Sequence, residues 1–100
     1  MDYTVAGDLK KKLLRIARLV DFRVLDHQDN EDAPSDMELF LVVDALSDDV
    51  KTKISDEIWD AGYQHMITIS YVLFSREDIE HPDPENAEVI RHFMEGGVRI

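Results

Sequence analysis

At residues 35–43 the chain has the sequence SDMELFLVV, in which two acidic residues lead directly into an apolar run. The continuous run predicts a central strand that is covered on both faces. Side chains two positions apart in a strand project to the same face, so Asp36 and Glu38 are expected to lie together, roughly 6.6 Å apart along the backbone at about 3.3 Å per residue. Two carboxylates at about 4 Å repel by about 4 kcal/mol at an effective dielectric constant near 20. Such a pair is stable where water solvates it, where one member takes up a proton, or where a divalent cation lies between them.

The composition is that of a small globular domain. The chain has 100 residues, of which 44% are hydrophobic, and we therefore expect a single domain over residues 1–100 with a genuine core. It has no cysteine, which excludes disulfides and thiolate metal sites. No apolar run is long enough to span a bilayer, and the first eight residues lack the charged-then-apolar pattern of an export signal. These features predict a cytoplasmic protein without a membrane partner.

The formal net charge of −11 limits the possible ligands. Phosphate backbones are bound by clustered lysine and arginine, so direct binding of nucleic acid is not expected. An anionic ligand would need a metal ion or a partner to offset the repulsion. Two further explanations remain open: solubility, including in a saline cytoplasm, and association with a basic partner protein, because complementary charge steers association.

Periodicity and capping signals predict an α/β (α+β) fold with a small mixed sheet and helices packed mainly on one face. The predicted helices cover residues 9–20, 47–62 and 83–96, with a further helical turn at 75–79. The predicted strands cover residues 22–25, 36–43 and 67–74, and residues 98–100 form an edge strand or a tail. A polar loop joins the first two strands at residues 26–35.

Three stretches carry a resemblance to a known family. Ser35–Leu39 stands where that family has Ser-Asp-x-Asp-Leu, with glutamate in place of the second aspartate. Residues 69–78 resemble the family's later strand and the acidic turn that follows it, and residues 90–100 resemble its closing helix. On these motifs the chain resembles a minimal nucleotidyltransferase of the DNA polymerase β superfamily, of the kind often encoded beside a HEPN-domain protein. The resemblance extends over nearly the whole chain and implies a nucleotidyltransferase-like fold.

The resemblance also implies a metal site. Asp36 and Glu38 correspond to the two carboxylates that hold divalent ions in that family, so Mg²⁺ and a nucleoside triphosphate are the implied ligands. In the family these ions bridge the triphosphate and stabilise charge on the group that is transferred.

Two departures from the family pattern concern catalysis. The family's Gly-Ser pair, which holds the triphosphate, would fall within residues 23–27, where this chain has Arg-Val-Leu-Asp-His. A side chain in place of glycine occupies space that phosphate oxygens need. The third carboxylate of active members corresponds to Ser70, whose hydroxyl is not a strong base at neutral pH. Neighbouring residues of a strand alternate in direction, so only one of Ser70 and Tyr71 can share a face with the carboxylates.

Three hypotheses about function follow. In the first, this is a catalytically impaired nucleotidyltransferase-like domain that acts as a protein-binding module, such as the antitoxin-like partner of a HEPN protein in a toxin–antitoxin-like pair. In the second, it is an active Mg²⁺-dependent nucleotidyltransferase that modifies a protein or a small-molecule acceptor. In the third, it is an unrelated acidic α/β domain with a structural or regulatory role. The expected partner is a HEPN-type helical protein or a second copy of the chain.

Overall fold

The structure, a computed structural model, describes residues 3–26 and 35–100. Within these ranges the secondary structure follows the order helix, strand, strand, helix, strand, helix, helix, strand. The elements are α1 (Thr4–Leu13), β1 (Leu19–Asp26), β2 (Met37–Val43), α2 (Asp48–His65), β3 (Ile69–Ser75), α3 (Arg76–Glu80), α4 (Pro84–Gly96) and β4 (Val98–Arg99).

The four strands of the described residues form one mixed sheet in the order β3-β2-β1-β4. β1 pairs antiparallel with both β2 and β4, whereas β2 and β3 run parallel. The parallel pair requires a crossover connection, which α2 provides. β2 therefore lies inside the sheet, and all of its residues except Glu38 are buried.

The side chains of β2 divide the core between the two faces of the sheet. One face packs aliphatic residues of β2 (Met37, Leu39, Leu41 and Val43) against α1 and α2. The other face packs Phe40 and Val42 against Phe74 of β3 and Phe93 of α4. The predicted fold class is confirmed: the structure is an α+β fold with a mixed sheet, in which α1 and α2 lie on one face and α4 supplies Phe93 to the other.

The prediction of a first helix over residues 9–20 is wrong at both ends. α1 begins at Thr4 and ends at Leu13, and Leu19 already belongs to β1. Ile16 and Ala17 pack against the aliphatic core from the turn between the two elements. The apolar spacing therefore marked burial correctly, but pairing of residues 19–26 with β2 outweighed helix periodicity.

The prediction that the second helix ends at Gly62 is also wrong, because α2 continues to His65. Met66 ends the helix in the left-handed conformation, with φ of 55°. Gly62 instead marks a close approach, since a Cβ atom there would lie 3.0 Å from the carbonyl oxygen of Ile67. The glycine allows the chain to fold back from α2 into β3.

The predicted helix starts at Ser47 and Pro84 are confirmed, and the predicted helical turn at 75–79 begins with a further cap at Ser75. Ser47 caps α2 by accepting a hydrogen bond from the N–H of Val50 at 3.2 Å. Ser75 forms a capping box with Asp78 at the start of α3, and Pro84 occupies the first position of α4. Ser47 and Ser75 satisfy backbone donors that have no partner within the helix, whereas Pro84 has no N–H that would need a partner.

β4 pairs with β1, and the turn that leads into it from α4 is tight. A Cβ atom at Gly97 would lie 2.6 Å from the carbonyl oxygen of Phe93 and 3.2 Å from Cβ of Arg23. Asp21 of β1 pairs with Arg23 at 2.9 Å and with Arg99 of β4 at 3.6 Å. Across the described ranges, we find no helix whose length and apolarity would allow it to cross a membrane.

Candidate functional site

Asp36 lies immediately before β2 and is joined to the residue that precedes β3. Its N–H donates to the carbonyl oxygen of Thr68 at 2.9 Å, and its Oδ2 atom accepts a hydrogen bond from the N–H of Thr68 at 2.8 Å. The carboxylate thus fixes the backbone at the entrance to β3. Asp36 contributes to the local structure whether or not it binds a metal.

Ser70, rather than Tyr71, lies opposite Glu38. The parallel register pairs Glu38 with Ser70 and Leu39 with Tyr71, and Tyr71 packs against the aliphatic core on the other face. The Oγ atom of Ser70 lies 2.9 Å from the Oγ atom of Ser35. The structure therefore brings three of the residues singled out in the sequence, Ser35, Glu38 and Ser70, to the amino ends of the two parallel strands.

A groove of about 650 Å³ opens beside Glu38 and Ser70, with α4 as its second wall. Its acidic and basic lining consists of four glutamates, one arginine and one histidine: Glu38, Glu85, Glu88, Glu95, Arg91 and His92. The ring of His92 contacts the ring of Phe93 edge-on, with centroids 5.7 Å apart. Asp36 is not among the described residues that line this groove. The carboxylates give the groove a predominantly negative lining.

The end of β1 lies beside the start of β2. Leu25 pairs with Glu38 and Asp26 with Met37, so the position implied for the family's Gly-Ser pair borders the two acidic residues. Arg23 is directed to another partner, because its Nε atom donates to Asp21 at 2.9 Å. His27 and most of the predicted polar loop lie outside the described residues.

The described residues were searched for clusters of side chains that could hold a metal ion. In the ranges 3–26 and 35–100 no group of three or more His, Cys, Asp or Glu side chains is arranged to hold a metal ion. A magnesium ion needs near-octahedral oxygen coordination. The site implied at Asp36 and Glu38 stays a prediction, and an ion there would take its remaining ligands from water or from a bound nucleotide.

We compared the chain with protein-family models, with curated proteins and with solved structures, and none of the three comparisons gives a match. The site must therefore be interpreted from its own geometry.

The α4 wall of the groove has no clear signal in the sequence. The helical spacing of Ala87, Ile90, Phe93 and Met94 predicts an apolar stripe on α4, but only Phe93 is buried, Ile90 is partly buried, and Ala87 and Met94 are exposed. Arg91 and His92 are both exposed beside the groove. Arg91 and His92 precede Phe93 directly in the sequence. Their position beside the groove follows only once the face of the sheet that α4 covers is known.

Proposed function

We propose that this chain is a nucleotidyltransferase-like domain with impaired catalysis that acts as a protein-binding module, such as the antitoxin-like partner of a HEPN-domain protein. The observation that carries the proposal is the pairing of Glu38 with Ser70 across β2 and β3. It puts a hydroxyl at the position that the resemblance assigns to the third carboxylate. A hydroxyl neither ligates Mg²⁺ as a carboxylate does nor accepts a proton readily at neutral pH.

The charge of the groove supports the same proposal. Glu85, Glu88 and Glu95 of α4 join Glu38 around it, against Arg91 and His92. Like charges that face a bound anion raise its free energy, and in a partly enclosed groove they are screened less than on an open surface. A nucleoside triphosphate would meet repulsion here unless metal ions offset it.

The net charge of −11 supports a basic protein partner. Complementary charge accelerates encounter and disfavours acidic competitors. We expect the chain to act in the cytoplasm, to bind no nucleic acid directly, and to form a complex with a HEPN-domain protein encoded beside it. Because the attraction is between surface charges, the affinity of that complex should fall as salt concentration rises.

Thermal unfolding with Mg²⁺ and each nucleoside triphosphate tests whether the chain retains a nucleotide site. A ligand that binds only the folded state raises the melting temperature by mass action. We expect no shift that depends on both metal and nucleotide. The matched control is Asp36→Asn, which removes the charge but keeps an oxygen that can accept from the N–H of Thr68. A shift in the wild type that disappears in Asp36→Asn would show that metal and nucleotide bind at the acidic pair, and would favour the active enzyme described below.

The alternative is an active Mg²⁺-dependent nucleotidyltransferase that modifies a protein or a small-molecule acceptor. Its support is the position of Asp36 and Glu38 at the start of β2, directly beside the end of β1. Transfer of labelled nucleotide from a triphosphate to a purified acceptor would establish this activity. The third hypothesis, an unrelated acidic α/β domain, is less well supported, because β2 and β3 are neighbours in the sheet and both pack against the layer of α1 and α2.

A further inference from the structure

β3 forms one edge of the sheet and is long and uncharged. Among the described residues its outer side has no strand partner, since the strand order is β3-β2-β1-β4. Its seven residues, Ile69–Ser75, include neither proline nor a charged side chain. Its register with β2 runs without a bulge. Proteins usually protect edges of this length with charges, proline, bulges or a covering element. Within the described ranges, β3 has neither the charges, the proline nor the bulge.

Three large exposed side chains of α2 and its end lie beside the start of β3. Trp59 and Tyr63 are each 79% exposed and Met66 is 92% exposed. They line a groove of about 790 Å³ together with residues 67–69, which lead into β3. Residues four apart on a helix are neighbours on its surface, so Trp59 and Tyr63 form one aromatic patch. We call the outer side of β3 together with Trp59, Tyr63 and Met66 the edge surface.

The charge of this region distinguishes between possible partners. Residues 66–75 contain no charged side chain, although the chain has 22 acidic and 11 basic residues. A basic partner protein would bind where carboxylates can pair with its positive charges, and residues 66–75 contain no carboxylate. Exposed Asp56 and Asp60 lie on the same helix, at the rim of the aromatic patch. The centre of the edge surface is neutral and accepts an acidic molecule without placing like charges in direct contact.

We propose that a second copy of this chain covers the edge surface, with β3 of each copy pairing antiparallel about a two-fold axis. Antiparallel pairing of a strand with itself is self-complementary, as an isologous interface requires. The two sheets would join into one continuous sheet. Aromatic side chains bury about 150–250 Å² each, so the four aromatic residues of the pair alone would bury on the order of 600–1,000 Å². With Met66 and the strand backbones added, the interface reaches the size of specific complexes, roughly 1,200–2,000 Å² in total.

Salt dependence separates this dimer from a complex with a basic protein. Each copy has a net charge of −11, so two copies repel at long range, and salt screens that repulsion. The dimer should therefore become more stable as salt rises, whereas a complex held by opposite charges should weaken. The inference is independent of the proposed function, because it involves neither a metal, a nucleotide nor a HEPN protein.

Light scattering on the isolated chain, at low and high salt and over a wide range of protein concentration, tests the proposal. We expect a mass twice the monomer value of 11.6 kDa, with a dissociation constant that falls as salt is added. Trp59→Glu and Tyr63→Glu should each weaken the dimer at least about tenfold, since buried aromatic residues dominate interface energies. Both side chains are exposed in the monomer, so circular dichroism of the variants should match that of the wild type.

Leu14→Glu is the matched control, because it also replaces an exposed apolar residue (52% exposed) by a carboxylate, but outside the edge surface. It should leave the dimer intact. Hydrogen exchange should show β3 amides that become protected as the wild type dimerises and stay unprotected in Trp59→Glu. A monomeric mass at every concentration and salt would overturn the proposal, as would a dimer that salt weakens. The proposal would also be overturned if Leu14→Glu weakened the dimer as much as Trp59→Glu does. Binding of a basic protein at Trp59 in place of a second copy would overturn it as well.

Discussion

The two parallel strands β2 and β3 carry different chemistry on the same face at two places four residues apart. Near their amino ends Glu38 pairs with Ser70, and further along Val42 pairs with Phe74. The first pair opens onto a charged groove, whereas the second belongs to an aromatic cluster closed by α4. The register is the same at both places, so the difference comes from the side chains alone. One backbone arrangement thus supplies stability at one end and a polar surface at the other.

The difference between the two places bears on the proposed absence of a third carboxylate at position 70. Substitutions at the amino ends change hydrogen bonds near solvent, while substitutions in the aromatic cluster remove packed volume from the core. A substitution of the first kind lowers the free energy of unfolding by about 1 kcal/mol, and one of the second kind lowers it by several kcal/mol. A carboxylate at position 70 could therefore be lost without loss of the fold.

The largest effect is expected from Phe40→Ala. The ring of Phe40 is fully buried, with centroids 5.3 Å from Phe93 and 5.8 Å from Phe74. Its removal leaves a cavity between the sheet and α4, and should lower the free energy of unfolding by about 3–5 kcal/mol. Denaturant titration measures the change. Leu14→Ala, at an exposed site, should stay within about 0.5 kcal/mol of the wild type. If Phe40→Ala lowers the free energy of unfolding no more than Leu14→Ala does, the aromatic cluster does not contribute the stability assigned to it.

A smaller effect is expected from Ser70→Ala. Ser35 is 6% exposed and its hydroxyl lies 2.9 Å from that of Ser70, so the substitution leaves a buried hydroxyl without this partner. The loss should be about 1–2 kcal/mol. The double variant Ser35→Ala/Ser70→Ala should lose less than the sum of the single variants, because both partners are then removed together. Full additivity in this thermodynamic cycle would mean that the two hydroxyls do not interact.

The smallest effect is an increase in stability from Met66→Gly. Met66 has φ of 55° at the end of α2, a conformation that glycine adopts without steric cost and other residues do not. The gain should be about 0.5–1 kcal/mol, measured by denaturant titration at a concentration where the chain is monomeric. Gln64→Gly, within the helix, is the control, and it should lower the free energy of unfolding by about 0.5–1 kcal/mol. A loss at position 66 would mean that the greater freedom of glycine in the unfolded chain outweighs the strain that the substitution relieves.

Sequence patterns predicted the parts of the fold that depend on strong local signals. β2 and β3 follow from apolar runs rich in β-branched and aromatic residues, and the starts of α2 and α4 follow from Ser47 and Pro84. The boundary between α1 and β1 was missed, because the apolar residues near Ile16 fit a helical stripe and a core-facing turn equally well. Local spacing cannot distinguish the two without knowing that β1 pairs with β2.

The candidate site was predictable to a similar extent. The acidic pair at Asp36 and Glu38 was visible in the sequence. Which of Ser70 and Tyr71 shares a face with Glu38 depends on the register of β2 and β3, and a shift of one residue would exchange the two. The hydrogen bond from Thr68 to Asp36 joins residues far apart in sequence. The groove depends on which face α4 covers, and that is decided by the packing of Phe93 against Phe40. These features arise from tertiary contacts and leave no local signature.

The two glycines at the end of α4 differ in how freely they could change over evolutionary time. A methyl group at Gly96 would meet only the side chain of Leu25, at 3.5 Å, whereas one at Gly97 would be 2.6 Å from a backbone carbonyl oxygen. A side chain can rotate away, but that carbonyl belongs to Phe93 and cannot shift without moving the ring that closes the aromatic cluster. Descendants of this sequence should therefore vary at position 96 and keep glycine at position 97.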